Sequence, residues 1–123
     1  MTLSELISVT DLSRARQFYG DLLGLPEISR PAFDFPGAWY QLGDRQLHLI
    51  VHPGTRTLRG TTAIDSRDGH YGIRVRSYRQ TLEHLKSLGV SFQDRPRNRT
   101  PWPQIYVTDP DGNVIELNAE QLD

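Results

Sequence analysis

The sequence contains no cysteine, a single methionine and no long apolar run. Without thiols there is neither a disulfide framework nor a thiolate metal site. That usage fits a reducing compartment, so a cytoplasmic location is expected. No stretch approaches the roughly 18 consecutive apolar residues of a membrane-spanning helix, so no membrane partner is expected. The start, MTLSELISVTD, lacks a basic segment followed by an apolar one, and no signal peptide is expected. An excess of one charge is missing too. There are 14 Lys and Arg against 15 Asp and Glu, a formal net charge of −1, with the signs interspersed. This argues against nucleic acid as a partner. Any metal must be held by His, Asp, Glu and water.

What is present is a chain of 123 residues, 37% of them apolar. That suits one domain, 1–123, or two small halves sharing a core. LSELISV (3–9) alternates as a strand does. In DLSRARQFYGDLLG (11–24), Asp11 is placed to cap a helix. Leu12, Ala15, Phe18, Tyr19, Leu22 and Leu23 recur at helical spacing, and Gly24 provides a stop. LPEIS reads as a short strand, and RPAFDFPG as a loop punctuated by Pro31, Pro36 and Gly37. AWYQLG and RQLHLIVH form a hairpin across Gly43-Asp44. The polar stretch 53–69 reads as a linker or functional loop. The order then recurs. HYGIRV is a strand and SYRQTLEHLKSLG (77–89) a helix with Leu82, Leu85 and Leu88 on one side. VSFQ (90–93) is a strand and RPRNRTPWP (95–103) a loop. QIYVTDPDGNVIELNA is two strands about a Pro-Asp-Gly turn.

Both halves therefore read β-α-β-β-β, module one over 3–52 and module two over 70–119, an α+β fold by duplication. Ile7 and Val9 fall on Ile73 and Val75, and Leu47 and Leu49 on Ile115 and Leu117, offsets of 66 and 68 residues. The equivalent of His70 is Ser4, and the equivalent of Glu116 is His48. Strand parity puts His48 with Ile50, His70 with Gly72 and Arg74, and Glu116 with Val114 and Asn118, each opposite the apolar helix-facing side. Curved sheets would make those faces a cup. Two imidazoles and a carboxylate are a sufficient set for Zn²⁺, Mn²⁺, Fe²⁺, Co²⁺ or Ni²⁺, with positions left for water or substrate. The bland alternatives are a hydrogen-bonded structural histidine and a surface ion pair between Glu116 and Arg74.

Four stretches, VTDLSRARQFYGDLLGLP (9–26), GAWYQLGDRQLHLIVHP (37–53), HYGIRV (70–75) and above all VTDPDGNVIELNA (107–119), make the sequence resemble a known family. It is the vicinal oxygen chelate superfamily, the glyoxalase/bleomycin resistance/extradiol dioxygenase group, and the resemblance covers nearly the whole chain. It implies tandem βαβββ modules whose curved mixed sheet surrounds a cup holding a divalent metal, and a homodimer. His48, His70 and Glu116 match three of the family's four metal positions. At the fourth, Ser4 replaces the usual His or Gln, and parity turns neighbouring Glu5 away from the cup. The cup walls would include Leu6, Ser8, Trp39, Gln41, Ile50, Arg74, Gln104 and Tyr106, with Trp102, Phe33 and Phe35 in loops that could close over it. Arg74 is a candidate for pairing a carboxylate or phosphonate, and Tyr106 for an acid/base or oxygen-orienting role. His52 and His84 read as surface residues.

Two functions follow from the resemblance. One is a metal-dependent enzyme on a small oxygen-rich substrate, by lyase or isomerase, dioxygenase (oxidoreductase) or antibiotic-modifying transferase chemistry. The other is a metal-free protein that sequesters a small molecule or an antibiotic. Retention of three ligand-type residues favours the enzyme. Arginines around the Pro-rich loops count against a cationic drug, and the loss of a first-strand His counts against a dioxygenase.

Overall fold

The computed structural model describes residues 4–52, 54, 60–67, 69–98 and 101–123. The chain divides into two compact units, Met1–Leu58 and Arg59–Asp123. Both repeat one topology. In the first, β1 (Ser4–Val9), helix α1 (Leu12–Arg16), β2 (Glu27–Ile28), β3 (Gly37–Leu42) and β4 (Arg45–Val51) build a sheet of order β1-β4-β3-β2. In the second, β5 (His70–Val75), α2 (Tyr78–Ser87), β6 (Gln93–Arg95), β7 (Gln104–Thr108) and β8 (Val114–Ala119) give β5-β8-β7-β6. In each, the first strand runs parallel to the last and the remaining pairs are antiparallel. This is the α+β fold of tandem βαβββ modules expected from the duplication.

The first unit buries Val9, Ala38, Tyr40, Leu47 and Leu49 on one sheet face, together with Ala15, Phe18 and Tyr19 of the helical segment. Asp11 caps that segment by accepting from the Arg14 amide at 2.9 Å. The expected single helix over 11–24 is corrected here. Only Leu12–Arg16 is α-helical, and Gln17–Leu22 winds more widely, with the Leu23 amide reaching back five residues to the Phe18 carbonyl at 2.9 Å. The wider turn brings sequence neighbours nearer to one face. Phe18 and Tyr19, adjacent and both buried, meet edge to face with ring centroids 4.9 Å apart. Gly24, at φ 71°, ends the segment, and Gly43, at φ 61°, turns the β3–β4 hairpin.

The second unit buries Ile105, Val107, Ile115, Leu117 and Ala119 together with Tyr78 and Leu85. Of the three helix leucines, Leu85 is fully buried and Leu88 is half exposed. The helix starts one residue later than expected because Ser77 is its cap, its hydroxyl accepting from the Gln80 amide at 3.1 Å. The strand expected over 90–93 is also corrected, since β6 begins at Gln93 and pairs with β7 through Gln93–Tyr106 and Arg95–Gln104. The cause lies in the helix end. Gly89 takes φ 67°, its amide bonds to the Lys86 carbonyl, and the Val90 amide bonds to the Leu85 carbonyl. That paired closure uses the donor with which Val90 would have entered a ladder. Among the described residues no helix is long and apolar enough to cross a membrane.

Candidate functional site

On the face of the second sheet turned away from its helix, cross-strand register puts Gly72, Glu116, Tyr106 and Gln93 in one row. Glu116 is the hub. Its Oε1 accepts from Gln104 Nε2 at 2.9 Å and from the Tyr106 hydroxyl at 3.0 Å, and its Oε2 accepts from Asn118 Nδ2. His70 Nε2 lies 3.6 Å from Oε1, with its ring edge-on to Tyr106 at 5.4 Å. Only 13% of the Glu116 side chain is exposed, so neutral donors and one imidazole replace its water. Gly72 makes room, because a Cβ there would sit 3.3 Å from Glu116 Oε2 and from Asn118 Nδ2. Burial, and then the bond to Glu116, push the Tyr106 phenol up to about 12. At neutral pH it is a protonated donor that orients the carboxylate, which disfavours it as a base.

Arg74 does not form the ion pair with Glu116 weighed above, and that alternative is corrected. Its Nε donates to Asn118 Oδ1 and its guanidinium lies 5.5 Å from the centroid of the Trp102 ring. Asn118 stands between the two charges. Arg95 lies 5.5 Å over the ring of Tyr106.

In the first unit, the equivalent row is Leu6, His48 and Trp39. The register thus makes Trp39 and His48 the counterparts of Tyr106 and Glu116. His48 stacks flat on Trp39, centroids 3.8 Å apart and planes 6° apart, and its Nε2 lies 2.9 Å from Gln46 Oε1. Burial lowers the His48 pKa, so its imidazole is neutral at pH 7. Ser4 pairs with Gln46, and Ser8 with Ile50, on this same face, while Glu5 pairs with Leu47 on the other. The Gln41 amide is engaged locally, donating to the Gly43 and Arg45 carbonyls at 2.7 and 3.1 Å. Phe33 stacks on Phe35 at 5.1 Å and sits 6.4 Å from Trp39, with Arg30 over both phenyl rings. His52 and His84 are exposed.

Two ligand atoms at about 2.1 Å from one ion and at tetrahedral angles lie roughly 3.4 Å apart. His70 Nε2 and Glu116 Oε1, 3.6 Å apart, fit two positions of such a shell. The amides of Gln104 and Asn118 supply the outer hydrogen bonds that orient a ligating carboxylate. Among the described residues no three His, Asp or Glu side chains gather closely enough to hold an ion by themselves. Two polar residues on these faces, Gln46 and Asn118, are not among the candidates that the sequence offers. Each lies two positions from a candidate ligand, and that i, i+2 spacing on a strand was the available signal.

The sequence profile described as the Glyoxalase/Bleomycin resistance protein/Dioxygenase superfamily matches residues 3–117. The chain is 27% identical over 119 residues to a probable chloroplastic lactoylglutathione lyase of Arabidopsis thaliana, covering 89% of this chain but only 33% of that protein. It therefore spans a third of that relative's length. It is 25% identical over 118 residues to the fosfomycin resistance protein FosX of Listeria monocytogenes, covering 94% of this chain and 86% of that one. The E126Q variant of FosX, solved with Mn(II) and 1S,2S-dihydroxypropylphosphonic acid, superposes with a TM-score of 0.72 at 21% identity over 98% of this chain and 92% of that one. A glyoxalase-family protein of Bacillus anthracis superposes with a TM-score of 0.78 at 22% identity, over 97% and 93% of the two chains.

Proposed function

Because this chain belongs to the glyoxalase/bleomycin resistance protein/dioxygenase superfamily, we propose that it is a divalent-metal-dependent enzyme acting on a small oxygen-rich substrate. The proposed ligands, for Mn²⁺, Zn²⁺, Ni²⁺, Co²⁺ or Fe²⁺, are His48, His70 and Glu116, of which His70 and Glu116 stand together in the second unit. Ser4 stands at the fourth position, where its neutral hydroxyl is a weak donor. The observation that carries this reading is the part-buried Glu116 carboxylate, held by three neutral donors with His70 beside it.

When bound, the ion polarises a substrate oxygen. The chain's own residues do the rest. Gln104, Tyr106 and Asn118 hold the carboxylate through hydrogen bonds to both of its oxygens. Tyr106 stays protonated and orients oxygen. Arg74 pairs an anionic group of the substrate. The kinship with FosX, solved with Mn(II) and a dihydroxyphosphonate, and with lactoylglutathione lyases supports lyase, isomerase or antibiotic-modifying chemistry ahead of dioxygenation. Trp39, Ile50, Ser8, Gln41, Gln104 and Trp102 are the proposed substrate contacts, in a cytoplasmic homodimer.

The competing reading is a metal-free antibiotic-binding protein. It draws on the exposed Phe33 and Phe35, yet Arg30 over both rings disfavours a cationic drug. Protein purified without chelator is expected to carry up to one divalent ion per chain by elemental analysis, and His70→Ala to lose it. Failure to bind any of Mn²⁺, Zn²⁺, Ni²⁺, Co²⁺ and Fe²⁺ on reconstitution would overturn the enzyme reading.

A further inference from the structure

One row of cross-strand neighbours crosses the whole second sheet on the Glu116 face: Arg74, Asn118, Gln104, Arg95. Its ends are cations and its centre is two amides. Both amides turn their N–H groups to the carboxylate in the adjacent row, Asn118 to Oε2 and Gln104 to Oε1. The carbonyl end of Asn118 is not idle, because Oδ1 accepts from Arg74 Nε. Only one orientation of the Asn118 amide satisfies both bonds. Reversed, it would set an NH₂ against a guanidinium and a carbonyl against a carboxylate. Arg74 in turn uses Nε on Asn118, and its guanidinium carbon lies 5.5 Å from the centroid of the Trp102 ring. The edge bearing the two Nη groups is left for a ligand, and its parallel N–H pair matches a two-oxygen anion.

We propose that Asn118 is a positioning residue that couples a carboxylate- or phosphonate-type anion on the Nη edge of Arg74 to the orientation of Glu116. An anion on Arg74 pulls the guanidinium and, through Nε, the Asn118 carbonyl; the same rigid amide carries that displacement to Glu116 Oε2. Coupling of this kind is reciprocal, so a ligand at Glu116 changes the affinity for the anion by the same factor. The inference rests on the proposed roles of Glu116 and Arg74 in the active site, and it adds the residue that links them.

The test uses the full chain, isotope-labelled and metal-free, at constant neutral pH, with methylphosphonate and acetate as separate probes. The Arg74 Nε–H, the Asn118 side-chain NH₂ and the Glu116 carboxyl carbon are expected to shift along one saturation curve, and the tighter probe identifies the anion. Arg74→Lys keeps the charge at an exposed position but removes the Nε donor. It should bind the anion more weakly, having lost the paired N–H groups, and at probe saturation the Glu116 response should fall at least about fivefold. Asn118→Ala should uncouple Glu116 in the same way with the Arg74 response intact. An undiminished Glu116 response in Arg74→Lys, or no response of Arg74 to either probe, overturns the proposal. Mn²⁺ binding, followed separately by paramagnetic resonance, tests the metal-enzyme reading alone: its failure sinks that reading and leaves the coupling standing.

Discussion

Tyr106 shows how one residue's surroundings set its chemistry. Its hydroxyl is buried against a carboxylate, and both conditions disfavour the phenolate, so its pKa rises from 10.0 to about 12. Tyr78, buried in the same unit with its hydroxyl 3.3 Å from Asp94, is raised to about 12 in the same way. The sign follows from the neutral form being the one the fold prefers. Each tyrosine contributes stability that is complete below pH 10 and lost as pH rises to about 12. A shift of this size corresponds to roughly 2–3 kcal/mol per group. Urea denaturation in steps across that window should show the loss, with tyrosinate absorbance rising late, and Tyr106→Phe should remove part of it. An unchanged profile in Tyr106→Phe would mean that the phenol titrates normally. Parity and repeat position were enough to find His70 and Glu116 as candidates. The partner of Arg74 was not legible, since Glu116 and Asn118 share one strand face and only side-chain geometry decides which of them Arg74 meets.

At the scale of the elements, local signals were read well where the chain is punctuated and poorly where packing decides. Asp11, Gly24, Gly43 and Gly89 marked a cap, two stops and a turn, and each does that work through its own side chain or backbone angle. The widened turn at Gln17–Leu22 had no such mark, because it follows from burying two adjacent aromatics. The displacement of β6 to Gln93–Arg95 likewise follows from a helix closure that reaches one residue past Gly89. Two substitutions test these elements by thermal denaturation. Ser77→Ala removes the acceptor for the Gln80 amide and should cost about 1 kcal/mol. Gly37→Ala should cost more, at least about 2 kcal/mol from overpacking. A Cβ at Gly37 would lie 2.4 Å from the Leu49 carbonyl and 3.0 Å from the Arg30 guanidinium, so the backbone where β3 begins must shift against β4 and the arginine must also give way. A stable Gly37→Ala variant would show that this close approach is not required.

For the whole molecule, duplication is the organising fact. It made the topology readable, because two modest patterns supporting one another weigh more than either alone. It also makes differences between the halves informative. Both carry a polar trio on the face away from the helix, Ser4, Gln46 and His48 in one and His70, Glu116 and Asn118 in the other. Yet among the described residues only the second unit sets an imidazole and a carboxylate 3.6 Å apart. The first has exchanged that chemistry for a stacked Trp39 and an amide on His48 Nε2. What lies opposite each face was beyond the sequence, since parity fixes only which side chains share it. Ser4→His tests whether the repeat assigns the fourth ligand position correctly. It restores an imidazole at the equivalent of His70, on an exposed residue at the start of β1 where folding should tolerate it. If Ser4 stands at the metal, Mn²⁺ affinity measured by paramagnetic resonance should rise by at least about tenfold. The gain should shrink below pH 6.5 as the new imidazole protonates. A rise that His70→Ala abolishes would tie the new ligand to the proposed centre. An unchanged affinity would place Ser4 away from the ion, and the equivalence of β1 and β5 would then hold for the fold without extending to the chemistry.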